Sequence, residues 1–151
     1  MRIAVLIGLV VCVFSGCIKQ DQGCTPVKPQ DEAAQIMAYA HANSMNVIKH
    51  TSGIYYETIN QGIGATPTMS STITVSYTGK LLNDNIFEQN MGYTKALNTV
   101  IEGWQIGMPL IRKGGRIKLI IPSSYGYGCI EKGNIPPNSV LYYDIYLADV
   151  Q

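Results

Sequence analysis

The stretch Val100-Ile101-Glu102-Gly103-Trp104 (VIEGW) decides how this chain is read. Two β-branched residues end a strand-like run, and the glycine marks the turn into a helix. Trp104, the only tryptophan of the chain, then falls in the first helical turn and faces inward. A large aromatic surface at that place suits the floor of a pocket as well as the centre of a core. The residues on either side decide between the two. Gln105 to Ile111 continue the helix, which Pro109 shortens or kinks.

Working outward from Trp104, the periodicity is that of strands. Upstream, Ile54 to Ile59 reads as a first strand, stopped by Gly62-Ile63-Gly64 and Pro67. That glycine pair is no nucleotide fingerprint, because no helix follows it and the third glycine is missing. Thr72 to Gly79 alternates cleanly, with Ile73, Val75 and Tyr77 on one face and the threonines and Ser76 on the other. Asn83-Asp84-Asn85 is a turn, Ile86-Phe87-Glu88 a short strand, and Gln89 to Thr99 a polar loop or irregular edge. Downstream, Lys113-Gly114-Gly115 turns into a strand over Arg116 to Ile121, ended by Pro122. Ser123 to Gly128 is a glycine-tyrosine loop, and Asn134 to Asn138 a proline-stiffened turn. Val140 to Val150 is the last strand, with Leu141, Tyr143, Ile145 and Leu147 on one face. These elements predict an α+β domain, an antiparallel sheet of about five strands wrapped over one short helix.

Composition narrows the function classes. The chain has 151 residues, 14% of them charged, and a formal net charge of +1, which gives no electrostatic footprint for nucleic acid. There is no Cys/His cluster with zinc spacing, so no metal or cofactor is expected. His41 and His50 are isolated and read as surface side chains. At the N-terminus, Ile3 to Phe14 is an apolar run too short to span a bilayer. The tetrapeptide Phe14-Ser15-Gly16-Cys17 resembles a bacterial lipoprotein lipobox. That resemblance implies a signal peptide over 1–16, lipidation of Cys17, and attachment to a bilayer of the cell envelope through its acyl chains. Residues 17–30 then form a tether. Residues 31–48 hold an N-terminal helix, with Asp31 as N-cap and Ile36, Met37, Tyr39 and Ala40 as its apolar face. With Cys17 lipidated, Cys24 and Cys129 remain, either as a disulfide suited to an exported protein or as two independent thiols.

From residue 49 to 151 the chain resembles the FKBP-type peptidyl-prolyl isomerases. The motifs VSYTGKL, IFE, VIEGW, KGGRIKLIIP, YGYG, IPP and LYYDIYL occur in the family's order. The resemblance implies a prolyl pocket with Trp104 as floor, Tyr77 and Phe87 as walls, and Val100 and Ile101 at the edge. It gives the Ile101 N–H and the Tyr127 hydroxyl the role of donors to substrate carbonyls, and places Ile135 and Tyr143 beside the pocket. Three departures stand out: Glu88 where the family usually has aspartate, Tyr143 where it has phenylalanine, and no clear aromatic shortly before VIEGW. Tyr93 or Met91 could fill that last place. The implied activity is cis–trans isomerisation of Xaa–Pro bonds in unfolded or exported polypeptides, by a monomer without cofactor. Glu88 and the missing aromatic leave open a proline-peptide-binding or holdase module with weak or no turnover.

Overall fold

The computed structural model describes residues 23–151. The expected signal peptide, Cys17 and the first part of the tether lie outside the described residues. In chain order the elements are α1 (Ala33–Ala42), β1 (Ile48–Lys49), β2 (Tyr55–Asn60), β3 (Thr72–Leu81), β4 (Ile86–Ala96), α2 (Glu102–Gly107), β5 (Arg116–Ile121) and β6 (Leu141–Val150). The strands form one antiparallel sheet in the order β1-β2-β5-β6-β3-β4. The architecture is α+β, with six strands rather than about five. The additional strand, β1, has two exposed residues, too few to show any alternation.

The largest departure from the sequence reading is β4. Gln89 to Thr99 reads as a polar loop or irregular edge, and the structure continues the strand to Ala96, paired with β3 from Lys80↔Ile86 to Thr72↔Ala96. It is an edge strand and mostly exposed. A register shift between Val75 and Tyr77, opposite the positive-φ Gly92, breaks its alternation. A bulge moves later side chains to the other face, and that erases a period-two signal.

The helix start also differs. Asp31 does not cap α1; the N-cap is Glu32, and it makes no side-chain capping bond. Its carboxylate turns inward instead and accepts the Ser123 N–H at 2.8 Å. Glu32 is buried. The helix occupies only Ala33–Ala42 of the 31–48 segment, closed by Asn43, whose Nδ2 donates to the Tyr39 carbonyl at 3.0 Å.

Two cores lie on opposite faces of the sheet. On one face α1 buries Ile36, Tyr39 and Ala40 against Tyr55, Ile120 and Tyr142. On the other, Ile73, Val75, Tyr77, Leu119, Tyr143 and Ile145 pack around Trp104 and Met108. α2 comes very close to β5 because Gly103 and Gly107, one turn apart, face Ile121 and Leu119. A Cβ on Gly107 would stand 2.6 Å from Leu119 Cδ1. That close approach seats Trp104 directly under the sheet.

Candidate active site

Trp104 and the sheet above it enclose a cavity of about 380 Å³. β3 contributes Tyr77, β4 contributes Glu88 and Tyr93, and β6 contributes Tyr143. Val100 and Ile101 form the edge before α2, and Tyr127 and Lys132 close it from the loop after β5. The rings meet edge to face. The Tyr77 and Trp104 centroids are 4.9 Å apart at 88°, and those of Trp104 and Tyr143 are 5.2 Å apart at 84°. Aromatic quadrupoles favour that arrangement, which locks the floor to both walls. A second depression of about 320 Å³ lies on the opposite, polar face, beside the Arg116–Asp144 ion pair. Of the aromatic residues around the cavity only Tyr77 also borders it, and Trp104 and Tyr143 do not.

The edge is held by backbone chemistry. Ile101 ends its extended segment as N-cap of α2, and its carbonyl accepts the N–H groups of Trp104 (3.0 Å) and Gln105 (3.3 Å). Gln105 Nε2 donates to the Val100 carbonyl at 2.8 Å, clamping the same edge from below. Among the described residues the Ile101 N–H has no intramolecular acceptor. It is an unpaired backbone donor at the edge of the cavity.

The Tyr77, Tyr127 and Tyr143 hydroxyls stay protonated at neutral pH. Burial raises the Tyr77 pKa above the ordinary phenol value, and the Glu88 carboxylate adds to that. Burial raises Tyr127 as well, again with Glu88 contributing. Tyr143 is raised by burial first, then by Tyr127, Glu88 and Tyr77. Each remains a hydrogen-bond donor rather than a phenolate. The hydroxyl that Tyr143 brings has Tyr127 as a close polar neighbour, so it does not sit alone among rings. The Trp104 Nε1 is buried without a partner. An unsatisfied buried donor costs about 1–3 kcal/mol, the kind of local debt that functional sites carry.

The loop bearing Tyr127 is fastened at several points. Gly128 N–H donates to the Ser123 carbonyl at 2.8 Å, and Ile130 N–H to the Tyr127 carbonyl at 2.9 Å. The Tyr125 hydroxyl donates to the Ser52 carbonyl at 2.8 Å. Cys129, two residues past Tyr127, forms a disulfide with Cys24, their Cα atoms 5.5 Å apart. Asn138 Nδ2 adds a 2.9 Å bond to the Thr25 carbonyl beside it.

Comparison with known proteins decides the family. The family model of the FKBP-type peptidyl-prolyl cis-trans isomerase matches residues 64–148, more than half of the chain. The chain belongs to the FKBP family. Among FKBP relatives, FkpA of Escherichia coli is 37% identical over 73% of this chain and FkpA of Buchnera aphidicola (Schizaphis graminum) 42% over 70%. The chain spans 42% and 44% of those proteins, less than half of each. The crystal structure of E. coli FkpA superposes with a TM-score of 0.72, covering 82% of this chain and 61% of that one. That of a peptidyl-prolyl isomerase from Pseudomonas syringae gives 0.69 at 25% identity, over 84% and 98%.

Within this FKBP frame the expected residues fall into two groups. Tyr77, Glu88, Val100, Ile101, Trp104, Tyr127 and Tyr143 line the cavity. Phe87 and Ile135 line the adjoining cleft, which shares Glu88, Tyr127 and Lys132 with it. Phe87 still braces the wall, edge-on to Tyr143 at 5.5 Å. The place of the missing aromatic is taken by Tyr93, which lines the cavity and stands edge-on to Tyr77 at 5.7 Å. Met91 is 85% exposed and faces the other side of the sheet. Two lining residues carried no signal in the sequence. Thr99 belongs to the short turn before Val100. Lys132 is presented by a turn in which Lys132 and Ile135 exchange backbone hydrogen bonds of 2.9 and 3.0 Å.

Proposed function

We propose that this domain isomerises Xaa–Pro bonds in unfolded polypeptides. The observation that carries the reading is the cavity over Trp104, walled by protonated tyrosines and edged by an unpaired backbone donor at Ile101. Rotation about a prolyl amide is slow because it breaks amide resonance, a barrier of about 20 kcal/mol. No nucleophile is needed. A surface that holds the twisted amide better than either planar form lowers the barrier, and each tenfold in rate needs only about 1.4 kcal/mol of such preference. The twisted amide has a less polar carbonyl, so an apolar pocket suits it. The proline ring rests on Trp104 between Tyr77 and Tyr143. The Ile101 N–H and the Tyr127 hydroxyl take carbonyls on the flanking residues, holding one side of the bond while the other turns.

The binding-only reading drew on Glu88 and on the missing aromatic. Tyr93 supplies that aromatic, and Glu88 still lies where it acts on Tyr77 and Tyr127, which favours turnover. The lipobox-like Phe14–Cys17 supports a reading in which the domain serves exported proteins as a monomer anchored by Cys17 to an envelope bilayer. A Cys24–Cys129 bridge suits that oxidising side.

The decisive experiment measures cis-to-trans conversion of a proline tetrapeptide by the described domain. Acceleration above the spontaneous rate is expected, and replacing Tyr127 by phenylalanine should lower it by about three- to tenfold, the value of one hydrogen bond. A folded protein that does not change the spontaneous rate overturns the reading. Radiolabelled palmitate incorporated into wild type but not into Cys17→Ser tests the anchor.

A further inference from the structure

Three shallow clefts lead away from the prolyl cavity. The first, of about 310 Å³, shares Glu88, Tyr127 and Lys132 with the cavity itself. The second shares Phe87 and Asn134 with the first. The third shares Leu81 with the second and ends at Gln35 on α1. Shared walls make them one trench, running from Trp104 to the N-terminal helix. Of the residues at its far end, Gln35 lies outside residues 64–148, the part that matches the family.

The chemistry of the lining changes along its length. Glu88 and Lys132 stand at the cavity end. No residue lining the last two clefts is ionisable. Instead, Asn134, Asn85 and Gln35 present carboxamides that form no hydrogen bond among the described residues, and Ile86 between them is 55% exposed. The turns that carry two of these amides are closed by backbone hydrogen bonds. Asn134 lies in the turn closed by Lys132 and Ile135, and the Asn85 carbonyl accepts the Leu81 N–H at 3.0 Å.

A carboxamide offers one acceptor and two donors, which match the C=O and N–H of a peptide group. A row of free amides beside an exposed aliphatic side chain therefore fits a neutral, extended backbone with an apolar residue facing inward. An anionic polymer would find no cation there. We propose that this trench is a second substrate subsite, which takes an extended, uncharged segment of unfolded polypeptide continuing from the proline held over Trp104. The position of that proline rests on the isomerase reading. The continuity of the trench with the cavity makes the two parts of one chain its natural occupant. Binding along it adds affinity for long substrates without touching the reacting bond.

The test compares labelled, uncharged peptides of roughly twelve residues, with one proline near either end, against the proline tetrapeptide. Binding is read by fluorescence anisotropy. Wild type should bind one of the two long peptides about tenfold tighter than the tetrapeptide. Ile86→Glu with Gln35→Glu places two charges in the trench on exposed positions, and should erase at least about fivefold of that advantage while the melting temperature holds. Absence of any length dependence overturns the proposal, as does a length dependence that the double variant retains. Length-dependent binding without acceleration of the tetrapeptide supports the trench and overturns the isomerase reading. Acceleration without length dependence does the reverse.

Discussion

Tyr142 and Tyr143 are neighbours in β6, yet they open onto opposite faces of the sheet and serve opposite ends. Tyr142 packs against Tyr39 of α1, ring centroids 5.6 Å apart, in a cluster that includes the fully buried Ile36. Tyr143 stands over Trp104 beside a cavity. The core under α1 is packed, and the Tyr39 hydroxyl at its margin donates to Asp84 at 3.2 Å. The Trp104 face keeps an open volume and an unpaired indole donor. One face is packed for stability, the other is held open by rings that brace each other. Changes on the first should move the melting temperature, and changes on the second should move the rate.

The sharpest way to break this contrast is Trp104→Ala. Losing the floor should lower kcat/KM for a proline tetrapeptide by about tenfold or more, and destabilise the fold by about 3–5 kcal/mol. Trp104→Leu keeps apolar volume and separates the effects. Its rate should fall while denaturant unfolding shows the smaller loss. Next comes Ile36→Ala on the packed face, expected to cost about 2–5 kcal/mol in unfolding free energy. The kcat/KM per folded molecule should stay within about twofold, since no cavity residue is touched. A large rate loss there would show that the two faces are not independent.

A smaller effect is expected for the bridge between them. The disulfide joins positions 105 residues apart, and constraining so long a loop contributes about 2–4 kcal/mol. Cys24→Ser with Cys129→Ser should lower the melting temperature accordingly. The retained bond from Glu32 to Ser123 should keep part of the N-terminal segment in place. The smallest effect is one of pH. Burial, followed by the Asp144 carboxylate, pushes Tyr142 up to about 12 from an ordinary value of 10.0. A raised phenol is worth stability below its unfolded pKa and loses it as pH climbs towards the folded one. The melting temperature should hold from neutral pH to about 10 and fall between 10 and about 12, less steeply in Tyr142→Phe.

Much of the site was legible in the sequence because regular elements carry it. Tyr77 and Tyr143 lie on clean period-two strands, so their faces follow from counting, and VIEGW marks the one short helix. The sequence does not choose between Tyr93 and Met91, since the bulge opposite Val75–Tyr77 scrambles the alternation that would separate them. The inward turn of Glu32 leaves no trace in the sequence for another reason. At a helix start a carboxylate is ordinary, and its burial depends on Ser123, 91 residues away. Lys132 reaches the cavity only through a turn whose closure no periodicity announces.

β6 lies at the centre of the sheet, between β5 and β3, although it comes last in sequence among the six described strands. A ribosome thus makes both halves of the sheet before the strand that joins them. Until residues 141–150 have emerged, β2–β5 and β3–β4 are separate fragments with open edges, and Trp104 lacks one of its two walls. Pairing over such sequence distances is slow to form. A product of synthesis that stops before residue 141 lacks the Tyr143 wall, so the cavity is completed only when β6 pairs.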